Sequence, residues 1–130
     1  MEIAALVQNY FKHLAQRNLD GVMDCIADQV ERNVPGDERL APWTGKRSTK
    51  KEVREFYRLL WENAVPLSAE IHVLLANESD GVVTGTFSSR MKKTGKVLAS
   101  PFSIHLQFKN GLITKYVLME DSFQLSQCMQ

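Results

Sequence analysis

The chain has 130 residues, 44% hydrophobic and 24% charged, with a formal net charge of +1. That length suits one domain with one core, residues 1–130, and so neutral a chain has no strong field for nucleic acid or a membrane surface. No apolar run reaches the roughly 18 residues that span a bilayer, and the N-terminus lacks the basic-then-apolar order of a secretion signal, so the sequence reads as a soluble, cytoplasmic protein.

Ile3, Leu6, Val7, Tyr10 and Leu14 recur at helical spacing and predict a first helix over 3–17. "NLDGVMDCIAD" follows, where Asn18 or Asp20 can cap a short second helix carrying Val22, Met23 and Ile26. "QVERNVPG" reads as a short strand stopped by Pro-Gly. Its alternation sets Arg32 with Val30 and Val34, on the core-facing side. "DERLAPWTGKRS" reads as a loop, and the basic run "GKRSTKK" as a solvated helix start. Thr49 and Glu52 form a capping box that opens a third helix. Val53, Phe56, Tyr57, Leu60, Trp61 and Ala64 make its apolar stripe, and Pro66 ends it.

The period then changes from helix to strand. "LSAEIHVLLA" sets Leu67, Ala69, Ile71, Val73 and Leu75 against Ser68, Glu70 and His72. "VVTGTFSSRMKK", "VLASPFSIHLQF" and "LITKYVLMEDSFQL" complete four consecutive antiparallel strands, with "KTGK" and "KNG" as hairpin turns. The tail "SQCMQ" is expected to fray. Helices segregated from an antiparallel sheet give an α+β fold, and a curved sheet wrapped around helices leaves a conical cavity for a ligand. Of the two cysteines, Cys25 reads as a small buried thiol and Cys128 as a tail thiol. The histidines are scattered, with no metal-ligand spacing.

"LVQNYFKHLAQRNLDGVMDCIAD", "APWTGKRSTKKEVREFYRLL" and "FSIHLQFKNGLITKYVLMEDSF" resemble the opening, the middle loop and helix, and the closing hairpin of ketosteroid isomerases and the wider SnoaL-like, nuclear-transport-factor-2-like superfamily. The resemblance covers nearly the whole chain. It implies a cone-shaped barrel whose fold hosts isomerases, cyclases, dehydratases and non-enzymatic binders. Ketosteroid isomerases pair an aspartate base with an oxyanion hole of a tyrosine and a protonated aspartate. Tyr10 matches the tyrosine's place. The base's place falls on Arg32 or Asn33, and the second acid's place on Ile104, so the acid pair is missing. "MEDSF" resembles the family's acidic strand ending, with Asp121 in the acid's place.

Candidate catalytic residues are therefore Tyr10 and Arg32 as donors to a ligand oxygen, and Glu120 or Asp121 as the proton-transfer group. Alternation turns one of those two acids inward and leaves open which. Asn33, Trp43, Phe56, Phe102, Ile104 and Met119 are the candidate ligand-binding residues. The expected function is binding of a small, mostly apolar molecule carrying one oxygen function, with cofactor-independent acid/base turnover of the isomerase, cyclase or lyase (dehydratase) type. No cofactor or metal is implied. The alternative is a non-catalytic binding or dimerisation module in which Arg32 pairs internally with Glu120 or Asp121. The outer sheet face, with His72, Leu74, Val82, Thr84 and His105, is too apolar to be fully wet and predicts a homodimer.

Overall fold

The computed structural model describes residues 2–130. Two N-terminal helices, α1 (Ile3–Ala15) and α2 (Leu19–Asp24), precede strand β1 (Ile26–Val34). Asn18 caps α2 by accepting from the Gly21 amide, and Ile26 is already strand. After a loop come β2 (Gly45–Thr49), α3 (Lys50–Asn63), β3 (Ala64–Ala76), β4 (Asp80–Met91), β5 (Val97–Lys109), β6 (Leu112–Glu120) and a closing helix, α4 (Ser122–Cys128). No helix among the described residues is long and apolar enough to cross a membrane.

The six strands form one curved, unclosed sheet in the order β2-β1-β6-β5-β4-β3. β3 to β6 are antiparallel neighbours, as their alternation predicts. β1 runs parallel to β6 and opens a second half of the sheet with β2. The "KNG" turn has both Asn110 and Gly111 at positive φ, the backbone that a tight two-residue hairpin requires. At the head of α3 the Thr49 hydroxyl accepts from the Glu52 amide while the Glu52 carboxylate accepts from the Thr49 amide, a reciprocal cap worth about 1 kcal/mol.

Four expectations are corrected here. "GKRST" is not the solvated start of a helix but the edge strand β2, paired antiparallel with β1. α3 stops at Asn63, before Pro66, and Ala64 already belongs to β3. The tail does not fray: α4 and the Met129 that follows it pack down, burying Leu125, Cys128 and Met129, so Cys128 is a core thiol. Finally, β3 does not keep one parity. Irregularities between Pro66 and Ser68 and between Ile71 and Val73 shift its register, and each shift moves the following side chains to the other face. Leu74, Val83, Ile104 and Leu118 consequently form one row across the sheet, and Val73, Thr84, Ser103 and Met119 the adjacent row. Val83 and Ile104 are buried, so the first row faces the helices and the second faces outward.

Candidate functional site

The concave face of the sheet and the helices enclose a cleft of about 570 Å³. β5 and β6 supply its floor with Phe102, Ile104, Tyr116 and Leu118. α3 supplies one wall with Phe56, Tyr57, Leu60 and Trp61, and Trp43 from the loop before β2 lines it as well. Ile71 on β3 and Leu125 on α4 reach its sides. Most of this surface is apolar, as a site for a mostly hydrocarbon ligand requires, and Arg17 at the end of the first helix region also lines it.

Glu120 is the carboxyl group that lines the cleft. It shares the inward parity of Tyr116 and Leu118 at the end of β6. Among the described residues its carboxylate has no hydrogen-bond or ion-pair partner. Burial, and secondarily the neighbouring Asp121 charge, push its pKa up to about 7. A carboxyl group so placed can both give and take a proton near neutral pH.

Asp121 has a different job. Its side chain accepts from the Gln124 amide at 2.9 Å and caps α4, while its own amide donates to the Ser100 hydroxyl at 2.9 Å. The choice that alternation left open resolves with Glu120 inward and Asp121 at the helix start. Met119 is exposed on the outer face and does not line the cleft, because it has the opposite parity to Leu118. Asn33 likewise stands away from the lining. Trp43, Phe56, Phe102 and Ile104 all reach it.

Tyr10 and Arg32 lie one layer behind the wall. Arg32 points inward, as its place between Val30 and Val34 predicts, and is 2% exposed. Its partner is not a carboxylate of "MEDSF". β1 and β6 align so that Arg32 sits beside Tyr116, and Glu120 is four residues further along the strand, about 13 Å away. The guanidinium instead lies 3.9 Å from the Tyr116 ring centre, 4.3 Å from that of Phe56 and 5.0 Å from that of Tyr57. Its Nη2 donates to the Tyr57 hydroxyl at 3.1 Å, and its Nε has no partner among the described residues. Burial opposes the charge, but the surrounding tyrosine oxygens outweigh it and hold the pKa above the usual arginine value. Tyr10, fully buried, shares a hydrogen bond with the Tyr57 hydroxyl. Burial first, then the adjacent Tyr57 and Tyr116 oxygens, raise its pKa.

Tyr57 and Tyr116, which sequence reasoning did not single out as site residues, are thus the groups that connect Arg32 and Tyr10 to the cleft. Tyr57 was visible only as one member of the α3 stripe. Tyr116 shares its strand parity with Glu120, and that was the available signal. No cluster of three metal-ligating side chains occurs among the described residues.

The model of the SnoaL-like domain family matches residues 7–116. No curated protein matches the chain. Among solved structures, the chain is similar to an NTF2-like protein of unknown function from Burkholderia pseudomallei, with TM-score 0.88, 18% identity, and coverage of 98% of this chain and 96% of that one. It is similar to a protein named as a candidate isomerase from Rhodopseudomonas palustris, with TM-score 0.82, 18% identity, and coverage of 94% and 90%. It is also similar to TerC, co-crystallised with polyporic acid, with TM-score 0.83, 13% identity, and coverage of 97% and 96%. Identities this low establish a shared fold.

Proposed function

The chain belongs to the SnoaL-like domain family, and on that premise we propose that its cleft binds a small, mostly apolar molecule carrying an oxygen function and that Glu120 moves a proton on it. The observation that carries the reading is one carboxyl group, without a partner among the described residues, at the wall of a mostly apolar cleft of about 570 Å³ that Arg17, Ser68 and Ser89 also line. Leaving an acid unpaired there costs stability, and a proton-transfer role gives that cost a use. The similarity to TerC, which was crystallised with the small molecule polyporic acid, supports ligand binding in a fold of this shape. The names of other neighbours, isomerase and polyketide cyclase, are compatible with acid/base chemistry that needs no cofactor. The alternative of a module closed by an internal Arg32–acid pair loses its main support, because Arg32 has no such pair.

The test uses 2-tetralone, an apolar ketone with exchangeable α-protons, in deuterated buffer. Binding is followed as a rise in melting temperature, and deuterium uptake at the α-carbon by proton NMR. The expected result is binding with exchange that Glu120→Gln abolishes while binding persists. Binding with equal exchange in both proteins would remove Glu120 from the mechanism. The proposal extends to assembly as a homodimer through the outer sheet face, where Val73, Leu75, Val82 and Met119 stand exposed.

A further inference from the structure

α1 ends on a Schellman cap. The Asn18 amide donates to the His13 carbonyl at 3.0 Å and the Arg17 amide to the Leu14 carbonyl at 3.0 Å. Arg17, just past the cap residue Gln16, has left-handed backbone with φ 51°. Glycine is the usual occupant of that position, because a Cβ there crowds the following carbonyl and costs stability. An arginine keeps a side chain where the backbone alone favours having none. The attraction of a cation to a helix C-terminus does not by itself account for it, since Lys12 and His13 already place basic side chains in the last turn. The Arg17 side chain reaches the cleft, whose lining holds no other Lys or Arg among the described residues. It is exposed, so it stands where the cleft meets solvent. Its guanidinium lies over Trp61, 5.5 Å from the ring centre, and Trp61 is lining too. Arg39, Arg54 and Arg58 each meet a carboxylate, but the Arg17 side chain makes no hydrogen bond or ion pair among the described residues. A planar fork of N–H donors is thus held on a ring face, open at the rim of a mostly apolar cleft.

We infer that the cleft selects a small apolar carboxylic acid in its ionised form, and that Arg17 is the specificity-determining residue that binds the carboxylate at the rim while the apolar body lies against Trp61. This names the ligand class for the cleft and rests on the reading of that cleft as a binding site. The carboxylate is a recognition group, separate from the oxygen function on which Glu120 acts. It matches the guanidinium because two parallel N–H donors meet its two oxygens. An apolar body against Trp61 also removes water from one side of the pair. The pair is otherwise open to solvent, so its worth is near the upper end for exposed ion pairs, about fivefold in affinity. Glu120, the carboxyl group of the lining, opposes an anion only when it is itself charged. Below pH 7 it is largely uncharged, whereas an ordinary carboxylic acid is still ionised.

The experiment compares 2-naphthylacetic acid with 2-naphthylacetamide, a neutral compound of nearly the same shape, by titration calorimetry at about pH 6. The expected result is that the protein binds the acid about fivefold more tightly than the amide. Raising the salt to about 1 M should remove most of that preference. Arg17→Gln should lose the preference and leave amide affinity unchanged, and Arg17→Lys should keep part of it, because the charge remains without the planar fork. Arg17→Gly gives the turn its preferred residue. It should lose the preference at no cost in melting temperature, whereas a purely structural side chain would lower the melting temperature and leave the preference intact. A preference that survives in Arg17→Gln or Arg17→Gly overturns the inference. Equal binding of acid and amide, or tighter binding of the amide, overturns it as well and leaves the cleft reading standing. Binding of neither compound overturns the inference, and the cleft reading falls with it only if 2-tetralone also fails to bind.

Discussion

At the scale of single residues, Glu120 and Arg32 are both charges in places that cost stability, and each makes a prediction. Glu120 holds its proton more tightly folded than unfolded, since its pKa rises to about 7 from the ordinary carboxylate range. The sign follows from linkage: there is no penalty below the unfolded pKa, a growing one as pH rises toward 7, and the full penalty above it. Glu120→Gln should therefore leave stability nearly unchanged at pH 4 and raise it at pH 8, by up to about 3 kcal/mol. Urea melts at the two pH values check this, and equal effects at both would mean that the carboxyl group is solvated. Arg32 fills the space among three rings, so Arg32→Ala should cost about 2–4 kcal/mol. Arg32→Met, which refills most of the volume, should cost less than about 1.5 kcal/mol. A third expectation concerns the isomerase that the chain resembles. With Arg32 or Asn33 in the place of its base and buried Ile104 in the place of its second acid, no appreciable isomerisation of a β,γ-unsaturated ketosteroid is expected in an absorbance assay.

At the scale of elements, the sequence was legible wherever one period ran unbroken, as in α1, α3, β4, β5 and most of β6. It misled where the backbone changed state without a change in composition. The "GKRST" segment has no apolar alternation because β2 is an edge strand, and only its pairing to β1 makes it one. In β3 the alternation looked clean, but two register shifts reversed it. The trace of the second shift in the sequence is Gly85, opposite Ile71, where an added Cβ would stand 2.0 Å from the Glu70 carbonyl oxygen; a glycine inside a strand marks such a close approach. In "EDSFQL" the alternation of β6 was carried too far, although Asp121 followed three residues later by Gln124 is itself a helix-start signal. Asp121 thus joins two effects that can be separated. Asp121→Asn should keep the cap, because asparagine caps as well as aspartate, and stability should change by only a few tenths of a kcal/mol. It should also lower the pKa of Glu120, because the Asp121 charge is one of the two causes holding it up. Infrared or NMR titration of the Glu120 carboxyl measures that shift. An unchanged pKa would leave burial as its sole cause.

At the scale of the whole molecule, segregation of helices from a run of hairpin-linked strands was enough to predict the cone and its cavity. What the linear pattern could not say was which face each strand presents, and that decides the assembly surface. The expected outer face included Leu74, which in fact turns inward with Val83. The rows that do face outward are Leu75–Val82–His105–Val117 and Val73–Thr84–Ser103–Met119. Leu75 is 65% exposed and Met119 53%, so the corrected face is more apolar than the one first drawn. Solvated sheet faces are usually polar at such positions, and a contiguous apolar patch on a soluble chain marks a contact surface. A two-fold axis through this face would set each row against its own copy, the self-complementary arrangement of a homodimer. Val82 lies within the first row, paired on both sides, so Val82→Lys would bury a lysine at the contact while leaving the cleft on the other side of the sheet untouched. Light scattering on a sizing column should give twice the chain mass for the wild type at micromolar concentration and a monomer for Val82→Lys. A wild-type monomer under those conditions would rule out the homodimer.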